Sequence, residues 1–157
     1  MTRISRRKFI GEVAVAGTGA CACGLSGCAT FTKTGSTPAI PDGAYTIENN
    51  KVKITLDKVA ELGKVSGSVK IVDAKLPQPI IIARIADADY AVVSIQCPHR
   101  GAEVEYKHDA KTFRCASLGH STFATDGKLL KGLASRSLTK FEAKLDASDK
   151  NSLIIIL

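Results

Sequence analysis

Two short stretches constrain this chain more than anything else in it. Cys97-Pro98-His99-Arg100-Gly101 and Cys115-Ala116-Ser117-Leu118-Gly119-His120-Ser121-Thr122-Phe123 each bring one thiol and one imidazole to a glycine-containing loop. Fifteen residues lie between His99 and Cys115. Two thiolates and two imidazoles are a complete donor set for one zinc ion, or for a two-iron cluster with mixed sulfur and nitrogen ligands. Each loop supplies one ligand of each kind, so a fold that uses them must bring both loops to one point.

The five cysteines sort by position. Cys21 and Cys23 lie in an N-terminal apolar stretch, Cys28 ends it, and only Cys97 and Cys115 stand in the globular part. Thiols set beside loop histidines argue for ligands rather than a disulfide framework. A Cys97–Cys115 disulfide and a pair of buried structural cysteines are the bland alternatives.

Residues 1–27 read as an export signal that takes no part in the fold. Ser5-Arg6-Arg7-Lys8-Phe9-Ile10 has the twin-arginine pattern. The apolar, glycine-rich run from Val13 to Gly27 is too short and too small-residued for a comfortable membrane span. Leu25-Ser26-Gly27-Cys28 resembles the bacterial lipobox, which implies lipidation at Cys28 and a mature chain that begins there. The expectation is a lipoprotein exported by the twin-arginine route, anchored in the membrane through its N-terminal lipid, and facing the periplasm or cell exterior. Residues 28–43 have no apolar period and two prolines, and read as a flexible tether.

Of the formal net charge of +7, +3 belongs to the first 27 residues. The rest is spread without a Lys/Arg cluster and aromatics are only 5%, which argues against nucleic-acid binding. A solvated basic face is the plain reading of the charge, and steering of an acidic redox partner is the functional one.

From Tyr45 onward the pattern is β. Lys51–Leu56 alternates apolar and polar, as a half-buried strand does. Ser68–Val72, Pro79–Ile85 and Tyr90–Gln96 read as further strands. Residues 102–107 and 111–115 read as a hairpin around His108-Asp109-Ala110, and 137–145 with 152–157 close the sheet system. Asp57–Gly67 reads as a loop ending in a β-turn, and no helix of normal length is expected. Short strands with frequent turn signals predict an all-β sandwich or barrel for residues 44–157.

The order Cys-x-His-x-Gly, a fifteen-residue spacer, then Cys, His and Ser-x-Phe resembles a Rieske [2Fe-2S] domain over roughly residues 50–157. Tyr90–Ile95 leading into the first loop, and Asp126–Gly132 after the second, agree with it. The second loop departs from the family pattern: it has Cys-x-x-x-x-His, one residue longer, with the Gly-His order reversed. The resemblance implies stacked antiparallel sheets with a small cluster-binding subdomain over residues 96–138. It also implies a [2Fe-2S] cluster with Cys97 and Cys115 on one iron, and His99 and His120 on the other. Arg100, Gly101, Gly119, Ser121 and Phe123 would surround those ligands, Ser121 as a hydroxyl donor to sulfur. His108 reads as a solvated turn residue.

Phe123 stands where high-potential members carry Tyr, and Ala102 where members with a loop-clamping disulfide carry Cys. Both differences imply a potential in the middle or lower part of the roughly −150 to +300 mV Rieske range. Arg100 replaces the Leu of quinol-oxidising members. The third loop, Gly132–Ser137, lacks the family's prolines and implies a more mobile cover. No nucleophile, carboxylate pair or phosphate loop points to catalysis. The function implied is therefore an electron carrier or redox subunit rather than a stand-alone enzyme, with a cytochrome or oxidoreductase subunit as partner. The reading from a different class is a Cys2His2 zinc domain serving as a structural or interaction module.

Overall fold

The computed structural model describes residues 35–157. The twin-arginine pattern, the lipobox and Cys28 lie outside these residues, as does the first part of the tether.

Eleven strands make two sheets among the described residues, and every pairing of named strands is antiparallel. They are β1 (Tyr45–Glu48), β2 (Lys51–Thr55), β3 (Ser68–Ile71), β4 (Ile80–Arg84), β5 (Tyr90–Ser94), β6 (Val104–Lys107), β7 (Thr112–Cys115), β8 (Thr122–Ala124), β9 (Leu129–Lys131), β10 (Lys140–Leu145) and β11 (Ser152–Ile156). The larger sheet has the order β1-β2-β11-β10-β5-β4-β3, and the smaller the order β6-β7-β8-β9. In the larger sheet β10 changes partner along its length: Lys140 and Phe141 pair with β5, and Glu142–Leu145 pair with β11. The all-β expectation holds.

The apolar run of β4 reveals how the layers are stacked. A strand exposed on one face alternates, but Ile80-Ile81-Ile82-Ala83 is fully buried throughout. Ile80 and Ile82, with Val92 of β5, enter a first core with Val52, Ile54, Leu153 and Ile155. Ile81 and Ala83, with Val93 and Ile95, enter a second core with Val104, Phe113 and Phe123. The β4–β5 hairpin therefore serves as the shared wall of both cores. Cys97 and Cys115 belong to the second.

Asp57–Gly67 differs from the expected loop. Two single 3-10 turns, Leu56–Lys58 and Ala60–Gly63, place Val59 and Leu62 in the first core. The three-residue spacing of those two side chains matches the 3-10 period. Gly67 follows because a Cβ there would lie 1.6 Å from the Glu61 carbonyl oxygen.

The tether expected over 28–43 is also corrected where it is described. Residues 38–40 hydrogen-bond beside β3, through Lys70 N–H to the Pro38 carbonyl (2.8 Å) and Ile40 N–H to the Lys70 carbonyl (2.9 Å). Ile40 is buried in the first core. Upstream, the Gly35 N–H donates to Glu103 Oε2 at 2.7 Å, and the Ser36 N–H and hydroxyl donate to Glu105 Oε1 at 2.7 and 2.9 Å. This segment crosses from the large sheet to the small one.

Lys107, and then the Ser36 backbone, hold the Glu105 carboxyl at about 2, below its ordinary 4.5. A depressed carboxyl contributes stability that is complete above the unfolded value and is lost as pH falls from about 4.5 to about 2. Glu105→Gln is therefore expected to lower stability by about 1 kcal/mol at pH 7. Its deficit relative to wild type should shrink across that acid window. Thermal unfolding of both proteins at several pH values measures this, and a deficit independent of pH would count against the contact.

Candidate metal centre

The first loop leaves β5 and closes on itself before β6. The Cys97 N–H donates to the Ala102 carbonyl (2.8 Å), and the Cys97 carbonyl accepts the Gly101 N–H (2.8 Å). Such a turn needs a left-handed residue, and Gly101 supplies it at φ +68°. The second loop leaves β7 and returns into β8, with the Cys115 N–H donating to the Ser121 carbonyl at 2.8 Å.

One residue of β6's approach ties both loops. The Glu103 carbonyl accepts the Ala116 N–H at 2.9 Å, and Glu103 bridges Gln96 just before Cys97. Its carboxylate takes Lys70 Nζ on both oxygens at 2.9 Å, with side chains only 14% and 17% exposed. The two loops are thus fixed to each other and to the large sheet. Sequence reading missed Glu103 and Lys70, because their meeting depends on partners 33 residues apart.

The result is a compact donor group. One ligand atom each from Cys97, His99 and Cys115 lie within 4.8 Å of one another. Both cysteines are buried free thiols with no disulfide between them, and His99 is half-buried. Cys97 Sγ lies 3.8 Å from His99 Nδ1, and Cys115 Sγ lies 3.2 Å from Ser117 Oγ. Burial pushes the Cys97 thiol up; the His99 backbone N–H opposes this, and the neighbouring Cys115 adds to it. Two sulfurs and an imidazole in an apolar box fit a soft or borderline metal centre such as zinc or an iron–sulfur cluster.

His120 is not part of this trio. It is exposed, at φ +39°, with Nδ1 3.5 Å from the Cys115 carbonyl oxygen. It therefore sits at the rim of the second loop. His108 lies in the β6–β7 turn, its Nδ1 3.4 Å from the Tyr106 hydroxyl.

The surrounding residues are placed as follows. Ser121 is fully buried; its hydroxyl accepts the Ala134 N–H at 3.0 Å and works against the burial that pushes the Cys97 thiol up. Phe123 is fully buried in the second core. Gly119 fits between the first and third loops, where a Cβ would meet Leu133 Cδ1 at 2.9 Å and His99 Cε1 at 3.5 Å. Arg100 is exposed. The third loop is pinned without prolines: Gly132, at φ +111°, lies where a Cβ would approach Ser121 Cα to 2.4 Å.

No helix of the described residues is long and apolar enough to cross a membrane. No protein-family model matches the chain, and no curated protein matches it. Solved structures do. The chain is similar to the cyanobacterial plasma membrane Rieske protein PetC3 from Synechocystis, at 25% identity and a TM-score of 0.50, covering 62% of this chain and 93% of that one. It is also similar to the ferredoxin of carbazole 1,9a-dioxygenase from Nocardioides aromaticivorans, at 14% identity and a TM-score of 0.54, covering 69% and 98%. The antiparallel sheets of this chain therefore form a Rieske-type fold, and its Cys-x-His and second Cys meet at one point in it.

Proposed function

We propose that this protein is an exported, lipid-anchored one-electron carrier holding a Rieske-type [2Fe-2S] cluster on Cys97, His99, Cys115 and His120. The convergence of Cys97, His99 and Cys115 within 4.8 Å carries the reading. A bound cluster would supply a site that accepts and releases single electrons. The chain does the rest. Cys97 and Cys115 would bind it as thiolates from inside the second core, whose Phe113, Phe123 and Val104 exclude water. His99 would bind it from the half-exposed side, which is open to a partner. The Ser121 hydroxyl favours the charged form of Cys97, and hydrogen bonds to sulfur tune the potential.

His120, at the rim of the longer second loop, would complete the set. It is the imidazole in the same loop as Cys115, whereas His108 is placed against Tyr106. With Arg100 beside the first histidine, and Phe123 and Ala102 lacking a hydroxyl and a thiol, the reading favours ferredoxin-like carriage over quinol oxidation. The partner is a cytochrome or an oxidoreductase subunit on the far side of the membrane, with Cys28 carrying the lipid. Likeness to a plasma membrane Rieske protein supports that placement.

Visible absorption and EPR of the oxidised and reduced protein test the cofactor. A rhombic EPR signal on reduction is expected in the wild type, and an altered or absent signal in His120→Ala. Zinc would leave both spectra silent and replace the carrier with a structural Cys2His2 module. An unchanged signal in His120→Ala would remove His120 from the ligand set. Separately, cells fed radiolabelled palmitate should label the wild type and not Cys28→Ala; label in both would overturn the anchor.

A further inference from the structure

We infer that the outward face of the small sheet is a docking surface for an acidic segment of the redox partner. The inference rests on the electron-carrier reading and gives that reading a second contact, separate from the His99 side. Register alone defines the face. Phe113, Cys115 and Phe123 point inward, so Thr112, Arg114 and Thr122 point outward. One cross-strand row runs Glu105, Arg114, Thr122, Lys131, and the next runs Lys107, Thr112, Ala124.

The charge on this face is one-sided. Glu105 is the only acid in those rows, and its carboxylate is already engaged by Ser36 and Lys107. Among the described residues Arg114 and Lys131 have no carboxylate partner. The two cations border a 620 Å³ open groove with Lys107 at one end. Thr112 and Thr122 also line it, and no acid does. Leu130, 54% exposed, adds an apolar contact at its edge.

Cations held in fixed register, with hydroxyls between them, match a run of carboxylates on an extended chain. The groove also reaches His120, so a segment seated there would end beside the second loop. This arrangement steers encounter and fixes orientation near the donor group.

The test uses purified full-length protein and a fluorescent deca-glutamate peptide, with binding read by anisotropy at low and high salt. Wild type should bind the peptide and release it as salt rises. Arg114→Gln/Lys131→Gln should bind about fivefold more weakly. Lys51→Gln/Lys144→Gln, which removes the same charge from the large sheet, should match wild type. Equal loss in both double variants would reduce the effect to net charge and overturn the inference. So would displacement of the peptide by phosphatidylglycerol vesicles but not by phosphatidylcholine vesicles, which would assign the face to the membrane. Lys131→Glu alone, on an exposed edge strand, serves if the double variant misfolds, and unweakened binding by it overturns the inference equally. Visible absorption of each sample separates the two readings. A colourless protein that binds the peptide contradicts the electron carrier, whereas a coloured protein that does not bind contradicts the docking face.

Discussion

Everything at the donor site depends on one hairpin being buried on both faces. β4 and β5 send alternate side chains into two different cores, so neither sheet can shift without disturbing both. Removing a large side chain from a packed interior costs about 2–5 kcal/mol. Ile81 and Ile82 are neighbours in sequence that serve opposite layers. The second core is also the box that holds Cys97 and Cys115. Burial beside Cys115 disfavours the charged form of the Cys97 thiol, which makes a bound metal the natural source of compensation.

Polar contacts then set the position of the loops on that base. Glu103 joins the first loop through Gln96, the second through Ala116, the large sheet through Lys70, and the N-terminal segment through Gly35. Ser121 plays the corresponding part on the other side, joining the second loop to the third through the Ala134 N–H. A partly buried carboxylate with this many donors has little reason to move. Gly35 and Ser36 consequently lie beside the small sheet, adjacent to the surface that carries Arg114 and His120.

The features legible in the sequence were those encoded locally. The Cys and His types and spacing in two short loops, the alternation of Lys51–Thr55 and the unbroken apolar run of Ile80–Ala83 each need only a few adjacent residues. What escaped depended on distant partners or backbone angles. Residues 35–43 look like a tether because their docking uses backbone N–H groups and carboxylates more than sixty residues away. β8, three residues long, is too short to show a period. The rim position of His120 follows from a left-handed backbone at φ +39°, which ligand spacing does not encode.

In the proposed carrier, two thiols from inside a core and two imidazoles from its rim share one cofactor. Mössbauer spectroscopy of the oxidised, iron-57-enriched protein addresses it most directly. Two iron sites of equal weight are expected, one with sulfur ligands alone and one with mixed sulfur and nitrogen ligands. A single kind of iron, or a folded protein purified with zinc and no iron, would contradict it.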